Sequence, residues 1–327
     1  MEQYLQNFIV PKNTIEKPIT HTSMDGGKWH IPQNDLPKFY ELVSTSNVSK
    51  PLVEKMNDIF PFVIDIDLKY KSVIEERHYT EDTVEQLIEY LWRKISECIN
   101  IDNERTNSVL LMEKVKPYPC SKGDYLSKDG IHLIFPDILI EKPAFKKIIS
   151  IIQEDDKIKE IFSDTSEIGP DNDTNHILDS SFSSWQLYGC GKKGESPYLV
   201  TKVFQISEDG FPDELTEDKF YSCPKNILEL ASMCYRNESN IKYKPDFANT
   251  FKQTALKKSS SSSSMNDDDI YGKAYYVDNN NVINPFKIVE EEQLKLVKGL
   301  VKCLSKERAS DYGKWFDVAL CLRNINV

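Results

Sequence analysis

Apolar residues recur along this chain with two different periods, and the changes of period divide it into elements. In "PFVIDIDLKY", residues 61–70, alternation puts Phe62, Ile64, Ile66 and Leu68 on one face of a strand and Val63, Asp65 and Asp67 on the other. In "EDTVEQLIEYLWRKISECI" the period becomes helical, with Val84, Leu87, Ile88, Leu91 and Ile95 on one stripe and Asp82 and Glu85 at capping-box spacing. Leu36, Phe39, Leu42 and Val43 predict a shorter helix over about 36–45, and Pro143 opens another that carries Phe145, Ile148, Ile149 and Ile152. Further strands are expected at 108–115, 131–136 and 198–206, and a helix from Pro224 to about Cys234. Residues 170–194 read as loop, and the first 50 residues as a small α/β lead-in. Strands with one apolar and one polar face suit a sheet with helices on one side only, so the expected fold class is α+β.

The pattern breaks at "LKKSSSSSSMNDDD", where six consecutive serines stand between lysines and aspartates. Such a tract has no apolar surface to bury and predicts a flexible linker. Beyond it, Leu294, Val297, Val301 and Leu304 form a helical stripe, repeated by Trp315, Val318, Ala319 and Leu322. The expected division is a domain over 1–255, a linker over 256–285 and an all-α segment over 286–327. No helix stop signal precedes Val327, so that segment is expected to be the start of a domain cut short.

Composition narrows the function. Hydrophobic residues make up 39% of 327, enough for a sizeable core. No apolar run reaches the roughly 18–20 residues of a membrane span, and the N-terminus lacks the layout of a signal peptide, so an intracellular, soluble protein is expected. A net charge of −11 argues against a protein that coats nucleic acid, though not against a local basic groove. Seven scattered cysteines with no C-x-x-C pair suggest reduced thiols. Zinc held by Cys120, Cys190, Cys223 and Cys234 is possible in space but unsupported by their spacing.

Asp65 and Asp67 share a strand face, with carboxylates roughly 6 to 7 Å apart. That face is either wet or occupied by a divalent cation, for which carboxylate oxygens are the preferred ligands. In "SKDGIHLIFP" alternation sets Gly130, His132 and Ile134 on one face. Lys128 and His132 emerge near one another, as in a phosphate cradle, and Gly130 between them leaves room for a ligand to approach. In "HILDSSFSSWQLYGCGKKGESPYLV", Asp179 is either a turn residue or a third metal carboxylate, and Lys192 and Lys193 are either solvated charges or phosphate contacts.

The ordered motifs "VIDIDL", "KDGIHLIF" and "ILDSS" resemble those of the archaeo-eukaryotic primase superfamily, specifically the poxvirus-type primase-helicases of large DNA viruses. "HTSMDGGKWHIP" is similar to that group's N-terminal lead-in, and "LSKERASDYGKWFDVALCLRNI" to the helical domain that precedes a superfamily 3 helicase. The resemblance implies a core sheet like that of an RNA-recognition motif and a nucleotidyltransferase that makes primers on single-stranded DNA from NTPs or dNTPs. It implies two Mg²⁺ or Mn²⁺ ions on Asp65, Asp67 and Asp179, with His132 and Lys128 on the incoming triphosphate. It further implies a helicase module as partner and, for a viral protein, a cytoplasmic virus factory as location. Two departures stand out. Gly130 occupies the usual serine position of the second motif, and Lys192, Lys193 and Lys202 have no secure counterpart. A metal-dependent nuclease or nicking endonuclease, and a non-catalytic template-binding adaptor of a helicase, are the competing functions.

Overall fold

The computed structural model describes residues 1–11, 18–45, 51–101, 107–120, 123–179, 183–192, 195–215, 220–236 and 241–250, all within the unit Met1–Ser264. The expected linker and C-terminal helical segment lie outside the described residues, as does Lys193.

The lead-in is a small sheet with a helix. Strands β1 (His21–Ser23) and β2 (Lys28–Trp29) form a hairpin, α1 (Leu36–Thr45) follows, and β3 (Leu52–Lys55) pairs with β1. The main body then runs through β4 (Ile59–Tyr70), α2 (Glu81–Cys98), β5 (Asn107–Glu113), β6 (Ser127–Glu141), α3 (Lys142–Gln153), α4 (Lys157–Thr165) and β7 (Leu178–Asp179). After it come β8 (Ser184–Gln186), β9 (Leu199–Ile206), β10 (Pro212–Glu214) and α5 (Pro224–Ala231). The large sheet has the order β10-β9-β5-β6-β4-β7, with Tyr118–Pro119 beside β6, and the small one the order β8-β3-β1-β2. Every pairing in both is antiparallel. The centre of the large sheet is a β-α-β-β-α-β unit with its strands ordered fourth, first, third, second, the split arrangement found in RNA-recognition motifs. The fold is α+β.

Burial explains why these elements form. Phe62, Ile64, Ile66 and Leu68 of β4 are all fully buried, each contributing on the order of 1.5–3 kcal/mol. Phe62 meets Phe145 of α3 and Phe135 of β6 edge-on, at centroid distances of 5.2 and 5.9 Å. The α2 stripe of Val84, Leu87, Ile88, Leu91 and Ile95 is buried as its period predicts. A second core gathers Trp29, Phe39, Tyr40, Leu52, Leu187 and Cys234 around the small sheet.

Four local expectations are corrected. The α2 cap is Thr80, whose hydroxyl accepts from Thr83 N–H while the Thr83 hydroxyl accepts from Thr80 N–H, so Asp82 and Glu85 do not form the box. The strand predicted over 131–136 runs from Ser127 to Glu141, because Pro136 lies in a bulge: Phe62 pairs with Phe135, and Pro61 with Leu139. Residues 170–194 contribute two short strands, β7 and β8. The helix opened by Pro224 stops at Ala231, not near Cys234, and the chain then turns in so that Met233 N–H reaches Glu54.

Candidate functional site

Antiparallel register does most of the positioning. Asp65 lies opposite His132 of β6 on one side and Asp179 of β7 on the other, and Asp67 lies opposite Gly130. Directly opposed residues share a face, so Asp179, Asp65 and His132 form a row across three strands, with Asp67 two residues along from it. On the same face, Val63, Ile134 and Leu110 are completely buried, so the acids sit where the cover ends. The edge is also braced: Asn172 donates to Asp67 C=O at 2.8 Å and accepts from Lys69 N–H at 2.9 Å, acting as strand partner beyond the two residues of β7.

Each β4 acid has a basic side chain beside it. Lys128 Nζ is ion-paired with Asp67 Oδ1, and His132 Nε2 lies 3.4 Å from Asp65 Oδ1. The His132 ring is stacked on Tyr198, with centroids 3.6 Å apart and planes 16° apart, and Trp185 of β8 is 4.6 Å away. Burial raises the Asp65 carboxyl, but His132, then Lys128 and Lys192, outweigh it and hold it below the ordinary value. Burial and then the Asp65 charge push the Asp67 carboxyl up, against Lys128 and Lys69. Lys128 is raised, because the charge of Asp67 outweighs burial.

Side chains that the sequence pattern did not single out complete the surroundings, Lys114 and Arg77 among them. Lys114, only 4% exposed, has its Nζ 3.7 Å from the Tyr118 ring centroid and is ion-paired with Glu195. Burial pulls its ammonium down, with Lys192 and Lys128 adding to the effect, against Glu195. Arg77 fixes the backbone there, donating to Lys114 C=O at 2.8 Å while it bridges Glu113 and Asp129. The strand alternation carried a signal: Lys114 has the parity of Met112, the partner of His132.

Gly130 differs from expectation. A Cβ there would come within 2.6 Å of the Tyr198 hydroxyl and 2.8 Å of Ile66 C=O, so protein fills the room reserved for a ligand. Lys192 is exposed yet close enough to act on both Asp65 and Lys114, whereas Lys202 is engaged by Glu81 and Glu214. Cys120, Cys190, Cys223 and Cys234 do not converge: among the described residues only His21, Glu54 and Cys234 gather metal-ligating atoms within 4.8 Å.

The acid row suits hard divalent cations. Its donors are carboxylate oxygens, and Asp65 Oδ1 is shielded from solvent without receiving a hydrogen bond, a shortfall that a cation would fill. The oxygens of Asp65, Asp67 and Asp179 are not drawn within 4.8 Å of one another, so an ion there would draw them together and displace Lys128 from Asp67.

Comparison with known proteins bears on what such a face does. The family model described as "C962R protein N-terminal AEP domain" matches residues 20–204, more than half of the chain. A protein named "Putative helicase L207/L206" from Acanthamoeba polyphaga mimivirus is 26% identical over 326 residues, covering 94% of this chain and 33% of that protein. "Putative helicase 184R" of Invertebrate iridescent virus 6 is 24% identical over 355 residues, covering 97% and 34%, and "Putative helicase 121R" of Invertebrate iridescent virus 3 is 27% identical over 327, covering 91% and 32%. The chain thus spans about a third of the length of these curated relatives. Among the described residues, no helix is long and apolar enough to cross a membrane.

Proposed function

The chain belongs to the family of the C962R protein N-terminal AEP domain, an archaeo-eukaryotic primase domain, and on that premise we propose that it synthesises short primers on single-stranded DNA. The observation that carries this is the row Asp179, Asp65 and His132 across β7, β4 and β6, with one Asp65 oxygen left without a donor. Asp65, Asp67 and Asp179 are the ligands for two Mg²⁺ or Mn²⁺ ions, which when bound would offset charge on the triphosphate and ease loss of the proton from the attacking 3′-hydroxyl.

The remaining roles belong to basic side chains of the chain. His132, fixed by Tyr198 and Trp185, turns Nε2 toward the phosphates. Lys128, once Asp67 is taken up by an ion, is free to reach phosphate oxygens, and Lys114 and Lys192 extend the same cradle. The buried Trp185 and Tyr198 exclude water from the His132 side of the row. NTPs or dNTPs are the substrates. The greater length of the helicase-named relatives supports a helicase module as working partner in viral DNA replication.

The test is de novo synthesis on single-stranded DNA with γ-labelled nucleotide and Mg²⁺ or Mn²⁺, comparing wild type with Asp65→Asn/Asp67→Asn. Short labelled products from wild type, reduced at least ~10²-fold in the variant, are expected. Equal synthesis by both would remove the acids from the mechanism, and cleavage of the labelled template would favour the nuclease.

A further inference from the structure

The small sheet holds a second cluster of ligand atoms, unrelated to the acid row. Glu54 of β3 lies opposite His21 of β1, and both are fully buried, as is Cys234 beyond α5. Four polar groups point at one oxygen, Glu54 Oε1: the Tyr40 hydroxyl at 2.7 Å, the Ser232 hydroxyl at 3.1 Å, His21 Nε2 at 3.2 Å and Cys234 Sγ at 3.5 Å. The other oxygen, Oε2, takes the Met233 N–H at 2.7 Å. A carboxylate oxygen offers about two lone pairs, so Oε1 cannot accept from all four at once, and the Tyr40 and Ser232 hydroxyls also contact each other at 2.5 Å. Crowding of nitrogen, oxygen and sulfur around one point is instead the signature of a shared cation.

The spacings agree with one metal. Tetrahedral zinc, with bonds of about 2.0–2.1 Å to nitrogen and oxygen and about 2.3 Å to sulfur, has N···O edges of about 3.3 Å and O···S edges of about 3.5 Å. The His21–Glu54 and Glu54–Cys234 distances of 3.2 and 3.5 Å match them, and all three ligand atoms lie within 4.8 Å of one another. The tautomer fits as well. The Thr20 hydroxyl donates to Trp29 C=O at 3.3 Å, so at 2.9 Å it accepts from His21 Nδ1–H, which leaves Nε2 as the ligand atom. Charge balances too, because a thiolate and a carboxylate offset a divalent cation in a site with no water to solvate it.

We propose that His21 Nε2, Glu54 Oε1 and Cys234 Sγ bind one structural Zn²⁺, with a hydroxyl of Tyr40 or Ser232 at the fourth position. The ion ties the small sheet to a segment 180 residues later than Glu54 in sequence. It also braces the acid row at one remove, because Trp185, which packs on His132, is the β8 partner of Glu54.

The test starts with wild-type protein. Elemental analysis is expected to find about one zinc per chain, and Co²⁺ exchange to give a thiolate-to-cobalt charge-transfer band. Cys234→Ser should lose the band and Cys190→Ser, a buried cysteine of the same core outside the cluster, should keep it. Absence of zinc together with absence of the band in wild type would overturn the proposal, as would a band that survives Cys234→Ser. Should Cys234→Ser not fold, chelation of wild type decides: a lowered melting temperature, restored by zinc, is expected, and an unchanged one refutes the site.

Discussion

Two antiparallel sheets of this chain each set a carboxylate opposite a histidine, and they treat the pair in opposite ways. On the small sheet, Glu54 faces His21 and has five polar groups within contact distance of its two oxygens. On the large sheet, Asp65 faces His132 at 3.4 Å, and its buried Oδ1 receives no hydrogen bond. Local register is alike in the two places, so the difference comes from what is packed on top. Residues 232–234 fold back over Glu54, whereas over Asp65 the cover stops at Trp185 and Tyr198. A buried carboxylate crowded by groups from distant segments ties those segments together, whereas Asp65 keeps one buried oxygen without a hydrogen bond.

The comparison is most sharply tested by removing each acid. Glu54→Ala strands four side-chain groups and a backbone N–H, and is expected to cost about 3–5 kcal/mol in urea unfolding. Asp65→Ala is expected to stay within about 1 kcal/mol of wild type while primer synthesis is lost. Equal destabilisation by both would end the contrast. Acid titration gives a second view. In the zinc-free protein, burial raises the Glu54 carboxyl, but His21, then Tyr40 and Met233 N–H, outweigh it and place its folded value below the unfolded one. Its contribution is therefore complete above the unfolded value of about 4.3 and is lost as pH falls through the folded value. Melting temperature should hold from neutral pH to about 5 and then decline, and Glu54→Gln should blunt that decline.

A smaller effect is expected at Gly130, which lies against Tyr198, the ring stacked on His132. A methyl group there meets the Tyr198 hydroxyl at 2.6 Å and the Ile66 carbonyl at 2.8 Å. The Tyr198 ring can yield, but the strand backbone cannot, so Gly130→Ala should cost about 1–3 kcal/mol. Because the displaced ring is the one stacked on His132, KM for nucleotide should rise as well. A variant as stable as wild type with unaltered kinetics would return Gly130 to the role of a ligand-facing glycine.

These contrasts follow a line between what alternation can and cannot reveal. The parity of Asp65, Asp67, His132 and Gly130 was legible, because a strand has only two faces and β4 buries one of them completely. The α2 stripe was legible for the same reason at helical period. Glu54 was not, since "LVEK" is too short to show alternation, and its partners lie 33 and 180 residues away. Tyr198 was read only as the start of a strand, although its ring holds His132 and its hydroxyl fills the space above Gly130. The bulge at Pro136 also defeated local reasoning: a proline usually ends a strand, but here pairing resumes at Leu139, and the Asp137 carboxylate accepts from Ser108 N–H in the gap.

Lys114 offers the finest distinction between the regions, because it is a buried charge with the strand parity of the residue facing His132. Burial, Lys192 and Lys128 all disfavour its ammonium, and Glu195, itself exposed, is its counter-ion. A methionine of similar length would keep contact with Tyr118 and shed that cost, so Lys114→Met should change unfolding stability by less than about 1 kcal/mol, in either direction. If Lys114 belongs to the phosphate cradle, the same variant should raise KM for nucleotide about tenfold with kcat little changed, the pattern of a lost charge-assisted contact. If it merely props Tyr118, KM should not move, and the cradle would reduce to Lys128, Lys192 and His132.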